Sequence, residues 1–166
     1  MNLRVGLGFD VHAFGGSAPL VLGGVVIPDG PGLVGHSDAD VVAHAVADSL
    51  LGAAGLPDLG TMFPATDDAH RDASSIGLLR EVVSRVHDAG WKVGNVDVVV
   101  AAETPRLAPH IAGMSSTLTE VLAGSVSVKP KRTEGVGAVG RGEGIASWAV
   151  ALLVGITDGT ESVPAH

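Results

Sequence analysis

His36-Ser37-Asp38-Ala39-Asp40-Val41-Val42-Ala43-His44 decides how the rest of the chain is read, because it sets two imidazoles and two aspartates at the start of a helical pattern. Ser37 and Asp40 form a Ser-x-x-Asp capping box, which predicts a helix over residues 38–51 that stops at Gly52. On that helix Asp40, His44 and Asp48 recur every four residues, with His36 at the mouth of the same face. Val41, Val42, Ala45, Val46, Ser49 and Leu50 occupy the other side and can dock on a sheet. A polar stripe of this kind is also what an ordinary solvated helix face looks like, so the stretch needs a partner elsewhere to become a site.

Leu3, Val5, Leu7 and Phe9 alternate with Arg4, Gly6, Gly8 and Asp10, a period-two pattern that predicts a half-buried strand. Continued, it places Asp10 and His12 on one side of the strand end. Asp10, His12 and His44 together make one carboxylate and two imidazoles, the composition of an open catalytic zinc site with a position left for water or substrate. Iron in a two-His-one-carboxylate triad uses the same set. Zinc is the better match to phosphate chemistry, and the spacing leaves His36 either as a donor to a phosphate near the metal or as a helix-entry histidine facing solvent.

Downstream of the strand, residues 19–27 read as a second strand interrupted at Gly23-Gly24 by a bulge or turn, and 28–35 as loop. Residues 55–75 are turn-rich and too long for a plain connector, which suggests a substrate-covering loop. Helices are expected over 76–89 and 109–122, and strands over 91–102, 125–129 and 144–154. This order predicts an α+β fold: a mixed four- to five-stranded sheet with helices packed on one face, a ferredoxin-like sandwich. One domain over 1–156 and a disordered polar tail over 157–166 are expected. The uncovered sheet face needs burial too, and Val98, Val100, Val150 and Leu152 are the residues expected to supply an oligomer interface there.

A net charge of -8 argues against a nucleic-acid or anionic-membrane partner, so any anionic ligand must be met locally. Without cysteine there is no thiol nucleophile and no Cys-ligated zinc. The N-terminal residues lack a secretory pattern and the apolar run over 145–156 is shorter than the ~20 residues of a membrane span, so a cytoplasmic protein is expected. Positive charge gathers in Lys129, Lys131, Arg132 and Arg141, with Arg106 upstream, among the flexible glycines of 135–144. Such backbone approaches anion oxygens closely while Arg and Lys neutralise them. With Glu134 as a hard oxygen donor, the segment suggests a site for a diphosphate bridged by Mg²⁺.

Gly-Phe-Asp-Val-His at 8–12, His-Ser-Asp-Ala-Asp at 36–40 with His44, Asp-Leu-Gly at 58–60, Gly-Asn-Val-Asp at 94–97, Pro-Arg-Leu-Ala-Pro-His-Ile at 105–111 and Gly-Arg-Gly-Glu-Gly at 140–144 follow one another in the order of a known family. Through them the chain resembles the methylerythritol cyclodiphosphate synthases over residues 4–154. The resemblance implies a homotrimer around a sheet-lined central channel, with active sites between neighbouring subunits. It implies a cyclising phosphoryl transfer on 4-diphosphocytidyl-2-C-methyl-D-erythritol 2-phosphate, with release of CMP, in non-mevalonate isoprenoid precursor synthesis.

Zn²⁺ or another divalent transition metal would sit on Asp10, His12 and His44, and Mg²⁺ or Mn²⁺ would bridge the diphosphate near Glu134. His36, Arg132 and Glu134 stand at the catalytic positions. Substrate contacts would come from Asp10, Val11, His12, His36 and Ser37, from Asp58 and Gly60 to the erythritol hydroxyls, and from Leu59, Phe63 and Asp67. Ala102, Pro105, Arg106, Leu107 and Ala108 would hold the cytidine, and Lys131, Arg132, Thr133, Glu134 and Arg141 the phosphates. An isoprenoid phosphate in the channel would meet Arg141 and Phe9.

Some positions depart from the family. Arg132 replaces a Thr that steadies the transition state, which predicts altered affinity rather than lost chemistry; Ala65 replaces an Asp, and Ala138 an aromatic that would line the channel. Two other readings suit the same residues: a zinc phosphohydrolase that uses water at the open metal position, and a non-catalytic trimeric nucleotide-binding protein.

Overall fold

The computed structural model describes residues 2–28, 30–35, 37–64 and 74–156. The expectations for His36, Ala65, Asp67 and the tail lie outside them. β1 (Leu3–Gly16) and β7 (Gly144–Gly155) pair antiparallel from Leu3↔Val154 to Ala13↔Gly144. β7 pairs antiparallel with β5 (Trp91–Ala101), which runs parallel to β6 (Ser125–Lys131). β4 (Gly32–Leu33) joins the end of β1 at Phe14 and Gly16, inside a segment expected to be loop, and gives a five-stranded mixed sheet of order β4-β1-β7-β5-β6. The strand expected over 19–27 divides at its Gly23-Gly24 interruption, which is a turn, into a hairpin of β2 (Val21–Leu22) and β3 (Val25–Val26).

Three long helices cover one face: α1 (Val41–Ala54), α3 (Ser75–Asp88) and α4 (Ile111–Leu122). α2 (Leu59–Met62) is a single turn after α1, and α5 (Gly137–Gly140) another before β7. Leu50, Leu51, Leu79, Val82, Met114 and Leu118 on the helices meet Val96, Val98, Val100, Ile145 and Leu153 on the sheet to form the core. No helix among the described residues is long and apolar enough to cross a membrane.

α1 departs from expectation at both ends. It starts at Val41, because Asp40 rather than Ser37 is the cap: Asp40 Oδ1 accepts the amides of Val42 and Ala43 at 3.1 and 3.0 Å. Ser37 Oγ accepts the Ala39 amide, at 3.2 Å, and caps no amide of the helix. The helix also runs through Gly52 and ends at Gly55, whose φ of 73° is the left-handed turn that glycine adopts without strain.

β1 alternates as expected. Its apolar residues turn away from the helices: Val5 and Leu7 are each 68% exposed, and Leu3, Phe9 and Val11 lie beside them. Toward α1 it presents Gly6 and Gly8, where a Cβ would stand 2.0 Å from the Ser49 carbonyl and 1.9 Å from that of Ala45. Glycine is what lets α1 lie flat on the strand. Val98 and Val100 are fully buried against the helices and cannot form an outer interface. The uncovered face is made by Leu3, Val5, Leu7, Phe9, Val11, Trp148 and Val150, with Phe9 and Trp148 ring to ring at 5.1 Å.

Candidate metal centre and adjoining cavity

β1 and α1 bring Asp10, His12 and His44 to one point. Asp10 Oδ2 lies 2.9 Å from His12 Nε2 and 3.0 Å from His44 Nδ1, and the two nitrogens are 3.3 Å apart. Ligands about 2.0–2.1 Å from a tetrahedral ion stand ~3.3 Å from one another, so the trio has the span of three zinc-type ligands with a fourth position open. Among the described residues it is the one group of three or more such side chains that converges. His12 Nδ1 lies 2.8 Å from the Val34 carbonyl; donating there leaves the Nε2 lone pair for a metal.

Electrostatics suit a cation. Burial pushes the Asp10 carboxyl up, but hydrogen bonds and charge from His12 and His44 outweigh it and leave its pKa well below the carboxylate range. The hydrogen bond to Asp10 raises the His12 pKa against the opposing effect of burial.

The expected polar stripe of α1 divides by depth. Asp40 is fully buried and performs no chemistry at the surface: besides the two helix amides, it accepts those of Gly23 and Gly24 at 2.8 and 2.7 Å, fastening the β2–β3 turn to α1. Burial raises its pKa despite those donors. Asp48 is half-buried, with its pKa raised first by that burial, and it accepts the Leu59 amide at 2.8 Å. It lines a hollow of about 250 Å³ with Leu7, Gly8, Phe9, Gly52, Leu56 and Asp58. Asp58 caps α2 through Thr61, whose hydroxyl and amide hold its carboxyl below the usual range. Leu59 and Gly60 follow in α2 and Phe63 is its C-cap. Val11 sits beside the trio through its backbone only, since its side chain leaves by the opposite face.

A second cavity, about 410 Å³, opens beyond the ends of β5 and β6. Ala102, Pro105, Arg106, Leu107, Ala108, Lys131 and Arg132 line it, together with Glu103 and Pro130. It lies at the same end of the sheet as the trio: Ala101 pairs with Ala146, and Ala146 with Val11. Glu103 was not singled out from the sequence, yet it organises the rim. Its Oε2 accepts Arg132 Nε and Nη2 at 3.1 and 2.9 Å, and its Oε1 accepts the Thr133 amide at 2.7 Å, the Thr133 hydroxyl at 3.1 Å and the Gly135 amide at 3.4 Å. Between them Glu134 is exposed and held at φ 53°, a left-handed conformation that costs a non-glycine residue about 1–2 kcal/mol. Arg141 stands apart, its Nε 2.7 Å from Glu143 Oε1.

Three contacts at the trio were not foreseen in the sequence: the Val34 carbonyl on His12, Ser37 Oγ at 3.3 Å from His44 Nε2, and Ser75 Oγ at 2.8 Å from the same nitrogen. The only sequence signal for the last is a Ser74-Ser75 pair just ahead of an amphipathic helix.

Residues 3–154 match the model of the YgbB family. A 2-C-methyl-D-erythritol 2,4-cyclodiphosphate synthase of Pectobacterium atrosepticum is 56% identical over 155 residues, covering 92% of this chain and 94% of its own. The fold is also that of the bifunctional IspDF of Campylobacter jejuni, with a TM-score of 0.89 at 39% identity over 95% of this chain and 43% of that longer one. A complex of the Plasmodium falciparum IspF with CDP superposes with a TM-score of 0.80 at 31% identity, over 93% and 97% of the two chains.

Proposed function

The chain belongs to the YgbB family, and from that premise we propose that it converts 4-diphosphocytidyl-2-C-methyl-D-erythritol 2-phosphate to 2-C-methyl-D-erythritol 2,4-cyclodiphosphate, a phosphorus-oxygen lyase reaction of isoprenoid precursor synthesis. An oxygen of the substrate's own 2-phosphate attacks the β-phosphorus of the diphosphate; the bond from that phosphorus to the bridging oxygen breaks and CMP leaves with the electron pair. No protein nucleophile is needed, so catalysis consists of positioning and charge stabilisation.

The observation that carries this reading is the convergence of Asp10, His12 and His44 at the same end of the sheet as a cation-edged, nucleotide-sized cavity. Zinc held by the trio would polarise the diphosphate as a Lewis acid. The 102–108 segment would seat the cytidine, in keeping with the CDP carried by the Plasmodium relative. Lys131 and Arg132 would meet the phosphates from the rim, with Arg132 oriented by Glu103. Among the described residues Glu134 belongs to no group of three or more metal-type side chains, so Mg²⁺ or Mn²⁺ there would take most of its ligands from the diphosphate. His36 and Ser37, which precede α1 in the sequence, would hold the attacking phosphate, and Asp58 with the backbone of Leu59 and Gly60 the erythritol hydroxyls.

The uncovered apolar face of β1 and β7 supports a homotrimer closed around a channel, with active sites between subunits. Phe9 lies on that face, the position from which it would contact an isoprenoid phosphate. CMP release in the presence of Zn²⁺ and Mg²⁺ tests the reaction: His44→Ala is expected to lower it at least ~100-fold. Full activity in that variant would remove the metal assignment, and linear phosphate products without the cyclic diphosphate would replace the reaction by hydrolysis.

A further inference from the structure

His44 offers one ring nitrogen to the metal centre and the other to a hydroxyl. Nδ1 faces Asp10 Oδ2 and His12 Nε2, while Nε2 lies 2.8 Å from Ser75 Oγ. Ser75 opens α3 and is 1% exposed. Its hydroxyl donates to Asp38 Oδ1, and its amide donates to Asp38 Oδ2 at 3.1 Å. A hydroxyl has a single proton to give. With that proton committed to Asp38, Ser75 Oγ can only accept from His44, which places the imidazole proton on Nε2 and leaves Nδ1 bare.

We propose that Asp38 and Ser75 are positioning residues for the metal centre: the Asp38 carboxylate orients the Ser75 hydroxyl, and that hydroxyl fixes the tautomer and the ring plane of His44. The proposal rests on reading Asp10, His12 and His44 as metal ligands. It goes beyond that reading by extending the centre to α3, an element that supplies no ligand. The two histidines are thereby steadied differently. His12 is fixed through the Val34 carbonyl, which no substitution removes, whereas His44 depends on two side chains from different elements. Ser37 Oγ, at 3.3 Å from His44 Nε2 and from Ser75 Oγ, is the weaker neighbour of the same nitrogen.

Outer partners of this kind set metal affinity by about 10–100-fold. The metal-free full chain would be titrated with Zn²⁺ against a competing chelator, and with Co²⁺ read by its visible d–d absorption. Ser75→Ala is expected to bind Zn²⁺ about 10–100-fold more weakly and to alter the Co²⁺ spectrum even at saturation, with Ser37→Ala losing less. Asp38→Asn, which keeps an acceptor but not the charge, is expected to lose affinity in the same direction and stands in if Ser75→Ala does not fold. A role confined to anchoring α3 would lower the unfolding temperature of the metal-free protein and leave the saturated Co²⁺ spectrum unchanged, which would overturn the proposal. Wild-type affinity and spectrum in both variants, alongside no binding by His44→Ala, would overturn the relay and keep the metal centre. Binding by His44→Ala equal to wild type would overturn both.

Discussion

Metal and proton compete for the same lone pairs on His12. Its pKa is raised above the ordinary 6.5, chiefly by the hydrogen bond to Asp10. In the metal-free protein that pairing contributes stability which is fully present below the unfolded pKa and is lost as pH rises through the folded one. Metal binding runs the other way, because Zn²⁺ must displace the proton; its affinity falls by up to about tenfold per pH unit below the folded pKa. The rise in unfolding temperature on adding Zn²⁺ should therefore be larger near about pH 8 than near about pH 6, as a calorimetric series would record. Asp40 carries a different load, since its removal strips an acceptor from the amides of Gly23, Gly24, Val42 and Ala43. Asp40→Ala should cost about 3 kcal/mol, combining a lost helix cap with buried donors left unpaired, measurable by denaturant unfolding. Of these residues the sequence displayed the ligands, because i,i+2 on a strand and a capped helix are local patterns. Ser75, Val34 and Glu103 act through contacts across 22 or more positions of chain, which no local spacing encodes.

Each long element tests packing against propensity. Gly8 and Gly52 are both glycines in regular structure with opposite expectations: a Cβ at Gly8 meets the Ala45 carbonyl at 1.9 Å, while at Gly52 on α1 nothing lies within 4 Å. Gly8→Ala should prevent α1 from seating and yield little folded protein. Gly52→Ala should raise stability by about 0.5–1 kcal/mol, since glycine inside a helix carries only an entropic cost; thermal unfolding distinguishes the two. The helices over α3 and α4 and the strand β5 were legible because their apolar residues repeat at the period of the element. The start of α1 was misread because Ser37 and Asp40 are both residues that cap helices, and the buried contact of Asp40 to Gly23 and Gly24 is not written in the local pattern. β4 was unreadable for another reason: two residues have no period.

For the whole molecule, the decisive surface is the apolar face that the helices leave bare. Leu7 is 68% exposed and outside the buried core, so a charge there leaves the core of the single chain intact. If the proposed trimer closes on this face, Leu7→Glu should keep the fold and give a single-chain mass in sedimentation, with a trimer mass expected for the unsubstituted chain. The α+β class and the layered arrangement were legible from the order of elements, whereas the choice of face on β1 was not. Alternation shows that a strand has two sides; it does not say which side the helices take, and here two glycines decide it. β1 is consequently read in a frame of two, one phase exposed on the uncovered face and the other turned to α1 and the candidate metal centre. A single inserted residue ahead of Asp10 that shifted the pairing by one would exchange the phases, turning Asp10 and His12 outward and driving Leu7 into the helix. Along this strand, changes of length are tolerated far less than changes of side chain, because one misplaced residue damages assembly and chemistry together.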